Sequence, residues 1–197
     1  MSSIFSDPFF RRGSTLLGGE AIETDSNGPI AGREVVGQVK AFQDVTPTGL
    51  GERHSNRLVF CVAARYTGTA NLTSADAGSL FVFDNTASTG DLLASFKDKA
   101  TATNAKAGVA VGVLDEYIGG NVVVRPNDIV WLVVKGPTTV NQTGSSITKG
   151  KGISPSATAG AVASASTTAG DLVCGQKLAE TSAAAAGVRV NMHSDAI

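Results

Sequence analysis

Charge is scarce in this chain. Asp, Glu, Lys and Arg make up 17% of its 197 residues and nearly cancel, leaving a net charge of -1. Globular domains usually carry about 25%, and a nucleic-acid-binding surface shows as a basic stripe. No such stripe is present, so no nucleic acid partner is expected. Histidine is almost missing too: His54 and His193 each lie among polar neighbours, with no second imidazole at ligand spacing. A zinc site needs three or four His, Cys or carboxylate ligands in usable spacing, so we expect no metal and no other cofactor. Cysteine is limited to Cys61 and Cys174, which are far apart and form no C-x-x-C pair. Both sit in apolar runs, where a thiol behaves as a small hydrophobe, and we expect them buried and reduced. No run approaches the ~18 apolar residues of a membrane span. The opening "MSSIFSDPFFRRGSTLLGGEAIE" lacks the apolar centre of a signal peptide. The expectation is synthesis in the cytoplasm without membrane contact, which makes the glycosylation triplets at Asn71 and Asn141 coincidental.

Reactive constellations are also lacking. Asp115 and Glu116 are adjacent, but neighbours on a strand point to opposite faces and do not share an acid–base site. The segment "GSSITKGKG" imitates a phosphate loop with the wrong spacing. Five residues separate Gly144 from Gly150 where the motif has four, and Gly152 follows Lys151 where Ser or Thr is required. It reads instead as a hairpin connection. Ser and Thr abound, yet a nucleophile needs an adjacent base and an orienting group, and no Gly-x-Ser-x-Gly elbow occurs. We expect no catalytic residues and no enzyme.

What is present is apolar, small and β-patterned. The apolar fraction of 42% supports a core. "EVVGQVKAF" alternates from Glu34 through Val35, Gly37, Val39 and Ala41; "RLVFCVAARY", "SLFVFD", "VAVGVLDEYI" and "NVVVR" follow as strands. "DLLASFKDK" fits either a helical turn or an irregular strand. "RPND" supplies turn chemistry before Ile129–Val134, an unbroken apolar run too short for a helix. That run reads as a strand covered on both faces, with Trp131 as a bulky core element, ended by Gly136-Pro137 and followed by a short "TTV" strand. "DLVCGQKLAE" and "GVRVNMH" close the pattern, while "SAAAA" between them is too short to hold a helix. The charge-free "ISPSATAGAVASASTTAG" fits either packed chain or a disordered linker.

The sum is an all-β fold: a compact β-barrel or β-sandwich of short, mainly antiparallel strands at residues 34–197. An extended N-terminal arm at residues 1–33 precedes it. The arm is aperiodic but carries Phe5, Phe9 and Phe10 beside Arg11 and Arg12. These residue types are enriched at interface hot spots, so the five are candidate partner contacts. The alternative is that the phenylalanines plug the chain's own core. Small side chains lose little rotamer freedom when covered, which favours a protein whose work is contact.

Three segments carry a family layout: "NDIVWLVVKGPTTV", "GSSITKGKGISPSATAGAV" and "AGDLVCGQKLAETSAAAAGVRVNMH". Over residues 107–193 the sequence resembles the tailed-phage head-decoration, or capsid cement, proteins. In those, an apolar strand is followed by a Gly-bounded hairpin, a "SATAG" turn and a "G-x-A-L-E-x-(small)-V-x-V" ending. The matching stretches are Asn127–Val140, Gly144–Gly160 and Gly175–Met192. Lys177 departs from the pattern, standing where a small apolar residue is usual, and "KGKG" replaces a commoner Gly-Asp. The resemblance implies a structural virion protein on the capsid surface, made in the host cytoplasm. Its implied partners are the major capsid protein, whose subunits it would bridge to stabilise the expanded head, and itself, as a dimer or trimer. The rival readings are another phage structural component, such as a tail or fibre subunit, and a carbohydrate-binding β-sandwich. One Trp and two Tyr are few for stacking on sugars, and no fibre-like heptads appear.

Overall fold

In the computed structural model the described residues are 36–43, 58–84, 95–107, 109–114, 123–144, 147–165, 169–177 and 185–191. They form an all-β fold of ten strands. The first five are β1 (Val39–Gln43), β2 (Leu58–Tyr66), β3 (Leu80–Phe83), β4 (Ser95–Lys99) and β5 (Val111–Leu114). The rest are β6 (Ile129–Asn141), β7 (Gly152–Pro155), β8 (Val162–Ser164), β9 (Gly175–Lys177) and β10 (Ala185–Asn191). The expected arm, residues 1–33, lies outside the described residues, as do His54, His193, Asp115 and Glu116.

Five strands close a ring. β2 pairs parallel with β4, β4 antiparallel with β3, β3 with β5, β5 with β6, and β6 returns to β2. β6 is the strand on which this closure rests. Ile129 through Val134 are all buried, as expected for a strand with both faces covered, and burying each such side chain contributes ~1.5–3 kcal/mol. Ile129, Trp131 and Val133 join one apolar cluster; Val130, Leu132 and Val134 join another. The period-2 alternation of a strand is what divides them.

The second cluster fills the ring. It draws Val62, Ala64 and Tyr66 from β2, Phe81 and Phe83 from β3, Phe96 from β4 and Leu114 from β5, and among the described side chains none from β7–β9. Phe96 stands edge-on to Phe81 at 5.1 Å between centroids and tilts against Tyr66 at 5.2 Å. Tyr66 donates its hydroxyl to Ala70 O at 2.7 Å, so the phenol brings no unpaired polar atom into the barrel. Gly112 on β5 faces this interior, and a Cβ there would sit 2.9 Å from Leu132 Cβ and 3.2 Å from Phe83 Cε2. Only a residue without a side chain fits.

The first cluster lies outside the ring. Val59, Cys61, Ala63, Leu80, Val111, Val113 and Trp131 meet Ile153 of β7 and Val162 of β8, with Ile147, Leu172 and Cys174 from the adjoining connections. The C-terminal strands continue the sheet in the order β6-β10-β9-β7-β8. The molecule is therefore a small barrel with a second sheet packed on its outer wall, and β6 belongs to both.

Several readings of the sequence change here. Gly136-Pro137 does not end the strand: β6 runs on to Asn141, so "TTV" is its second half. The bend comes from Gly136, whose φ of +109° lies in the region glycine tolerates. Pairing with β2 stops at Lys135, after a shift of register at Phe60/Cys61, and pairing with β10 starts at Lys135. Of the expected first strand, Glu34 and Val35 lie outside the described residues; β1 begins at Val39, after a turn at Val36 and Gly37 with Gly37 at φ +82°. "SFKDK" is a strand. "GSSITKGKG" joins β6 to β7, which do not pair, so it is a crossover and not a hairpin.

The charge-free stretch is packed chain at residues 152–165. β7 and β8 pair antiparallel across the "SATAG" turn. There Ser156 Oγ donates to Thr158 O and accepts from Thr158 N. Gly160 pins the turn to the barrel: it donates to Ala100 O and accepts from Leu80 N, both at 2.9 Å. Its φ is +79°, and a Cβ would come within 3.0 Å of Ser79 Cβ.

Gly112→Ala is expected to destabilise the fold by about 1–3 kcal/mol, the usual cost of overpacking. Urea denaturation checks this, with a lowered midpoint and an unchanged slope as the expected result.

Candidate contact surface

None of the five residues marked out for partner contact, Phe5, Phe9, Phe10, Arg11 and Arg12, falls among the described residues. The described residues offer three other features.

The first is a cleft of about 410 Å³ beside the β7–β8 hairpin, within the size range of ordinary ligand pockets. Ala105, Ser154, Pro155 and Leu172 line it, with Ser164 and Asp171. Asp171 is ion-paired to Lys106 at 2.9 Å, which ties the loop before β9 to the loop after β4. Ser154 is 5% exposed, and its Oγ has no hydrogen-bond partner. A serine without a hydrogen-bonded base is not activated as a nucleophile. Apart from Asp171, which Lys106 neutralises, the walls are uncharged and mostly small, so the cleft can hold a slim apolar segment. Among the described residues no group of three or more His, Cys, Asp or Glu could hold a metal ion. No described helix is long and apolar enough to cross a membrane.

The second feature is a buried cation. Lys177 on β9 is 1% exposed, and its Nζ donates to Gln142 Oε1 at 2.6 Å. Gln142 in turn bridges to Val162, so the pair knits the end of β6 to β8 and β9. Burial pushes the Lys177 ammonium below the usual lysine range. The signal was legible as a departure, a lysine at the small apolar position of the resembling pattern, but its burial was not. Cys61 on β2 and Cys174, three residues before Lys177, are both buried and form no disulfide. Burial pushes the Cys174 thiol up to about 12, which makes it inert at neutral pH.

The third feature is apolar exposure. Val39 on β1 and Val173 before β9 are the exposed large hydrophobics among the described residues. Lys135 Nζ lies 5.5 Å from the Phe60 ring centroid, covering part of the sheet next to β1.

No protein-family model matches the sequence, and no curated protein matches it. Among solved structures the chain is similar to a chain of the capsid of Myoviridae phage XM1, at 18% identity and a TM-score of 0.40. That match covers 76% of this chain and 94% of the other. A likeness of that size does not establish a common fold.

The lysine supplies a test. With the folded-state value depressed, the unfolded chain holds more protons in the window between that value and the ordinary lysine value, so stability rises with pH there. Below the window the full cost of holding the charge remains. Lys177→Met removes this contribution. Unfolding free energies measured at about pH 7 and about pH 10 should shift in favour of the wild type at the higher pH, relative to the variant. A difference independent of pH would show that the ammonium is not under strain.

Proposed function

We propose that the protein is a structural component of a tailed-phage head that binds the outside of the shell and bridges major capsid subunits. One observation carries the reading. The three segments that resemble the cement proteins are separate in sequence, yet they fold into neighbouring strands: β6 beside β10, β10 beside β9, β9 beside β7. The family layout therefore falls on one structural unit, the outer sheet together with the strand it shares with the barrel. The packed "SATAG" turn and the small-residue cleft beside it lie in the same region.

The physical mechanism is linkage. A protein that binds across a joint of the expanded shell, and not to separated subunits, adds its binding free energy to the assembled state alone. Many symmetric copies convert modest interfaces, each of about 1,600 Å², into a network held by avidity. In this reading Phe5, Phe9, Phe10, Arg11 and Arg12 are the anchors. Aromatic and arginine side chains supply most of the energy of such contacts, and a strand-like arm can extend a neighbour's sheet.

Co-sedimentation with purified expanded shells tests the proposal. The full chain should pellet with shells at saturable occupancy. A chain lacking residues 1–33 should keep its thermal transition but lose binding. Failure of the full chain to bind would sink the capsid reading, whereas equal occupancy of the shortened chain would remove only the arm.

A further inference from the structure

Among the described residues the outer edge of β1 is open, and its geometry selects an occupant. β2 uses its two edges in strict alternation. Tyr66 exchanges hydrogen bonds with Asn127 and Asp128 on the β6 side. Ala63 bonds Gly37 and Gln38 on the other side, where Thr67 N–H also donates to Phe96 O. Odd-numbered residues of β2 thus face β1. The register sets Lys40 opposite Cys61 and Phe42 opposite Val59, so the backbone groups of Lys40 and Phe42 bond to β2. Those of Val39, Ala41 and Gln43 point away. Among the described residues no strand pairs with that side, β1 ends the sheet order, and Val39 is 42% exposed. Two residues, Gly37 and Gln38, oppose Ala63 alone, a bulge that ends the regular edge just before Val39.

An unpaired edge is a template for another strand. We propose that β1 pairs antiparallel with β1 of a second copy of this chain, across a two-fold axis at Ala41. The outward-facing residues 39, 41 and 43 are symmetric about Ala41. In this register Val39 meets Gln43 of the other copy, Ala41 meets its equivalent, and every outward N–H and C=O of the strand is used. It also places Lys40 opposite Phe42 of the other copy. Sliding by two residues one way sets the two Lys40 positions opposite each other, a like-charge pair that destabilises a sheet. Sliding the other way leaves the outward groups of Val39 unpaired. One register therefore satisfies both the backbone and the charge, and a two-fold contact needs only one self-complementary patch. This inference stands apart from the capsid reading and holds or fails in solution.

The experiment uses the full chain. In the proposed register the two residues at position 41 are about 5.5 Å apart at Cα, inside the ~4.4–6.8 Å window for a disulfide. Ala41→Cys should give, on mild oxidation, a cross-linked species of twice 20.0 kDa on a non-reducing gel. The wild type, whose described cysteines are buried, and Thr103→Cys, an exposed loop position, should not. Ala41→Pro removes only an outward-facing N–H, so light scattering should report the monomer mass for it and the dimer mass for the wild type. A monomeric wild type whose Ala41→Cys variant fails to cross-link overturns the proposal. That is the outcome expected if the chain's own residues 1–35 or a strand from a shell protein takes the edge. A dimer that survives Ala41→Pro without cross-linking through position 41 overturns it as well.

Discussion

The change of partner within β6 at Lys135–Gly136 is the constraint on which the rest of the structure depends. One strand cannot lie straight in both the barrel and the outer sheet. It has to bend where β2 leaves and β10 arrives, and Gly136 at φ +109° is that bend. Before it, both faces of β6 are buried, one inside the ring and one against the outer sheet. Beyond it, burial alternates, with Val140 buried and Pro137, Thr139 and Asn141 half-buried. Asn141 secures the far end by donating to Ala77 O at 3.1 Å.

The two cores differ in kind. The barrel interior is filled by aromatics and leaves no room at Gly112. The outer interface is built mainly from Val, Ile, Ala and Cys, with Trp131 as its one large element, and it tolerates polar occupants at its margin. Lys177 and Gln142 close one end of it with a buried hydrogen bond. The hydrogen bond satisfies the buried ammonium and links the end of β6 to β8 and β9. The small side chains of the hairpin have little rotamer freedom to lose.

Much of the fold was legible because its signals are local. Ile129–Val134 shows its strand in composition alone, since six apolar residues bounded by turn chemistry have few alternatives. Asn127 confirms that turn with a φ of +74°. The misreadings all come from tertiary context. Gly136-Pro137 looks like a stop because local rules treat glycine and proline as breakers, whereas a strand that changes partners needs a flexible joint there. "GSSITKGKG" looks like a hairpin because its ends are near each other in sequence, whereas β7 pairs with strands that come later. "ISPSATAGAVASAS" could not be told from a linker, since what orders it is contact with Ala100, Leu80 and Ser79, more than fifty residues earlier. The candidate contact surface was less legible. An open edge is a property of the sheet order, and the burial of Lys177 depends on Gln142, so neither is written in a local pattern.

Because β6 completes both halves, the order of synthesis sets the order of folding. The barrel cannot close on Leu58–Tyr66 until Ile129–Lys135 has left the ribosome, and the outer sheet must wait for Ala185–Asn191. Roughly the first two-thirds of the chain therefore emerges with its aromatic strands unsealed, a condition that favours aggregation in slow-folding β proteins. A sparse charge complement gives that nascent segment little electrostatic protection. Arrival of β6 lets the barrel core seal first, and the outer core follows only once β10 is added.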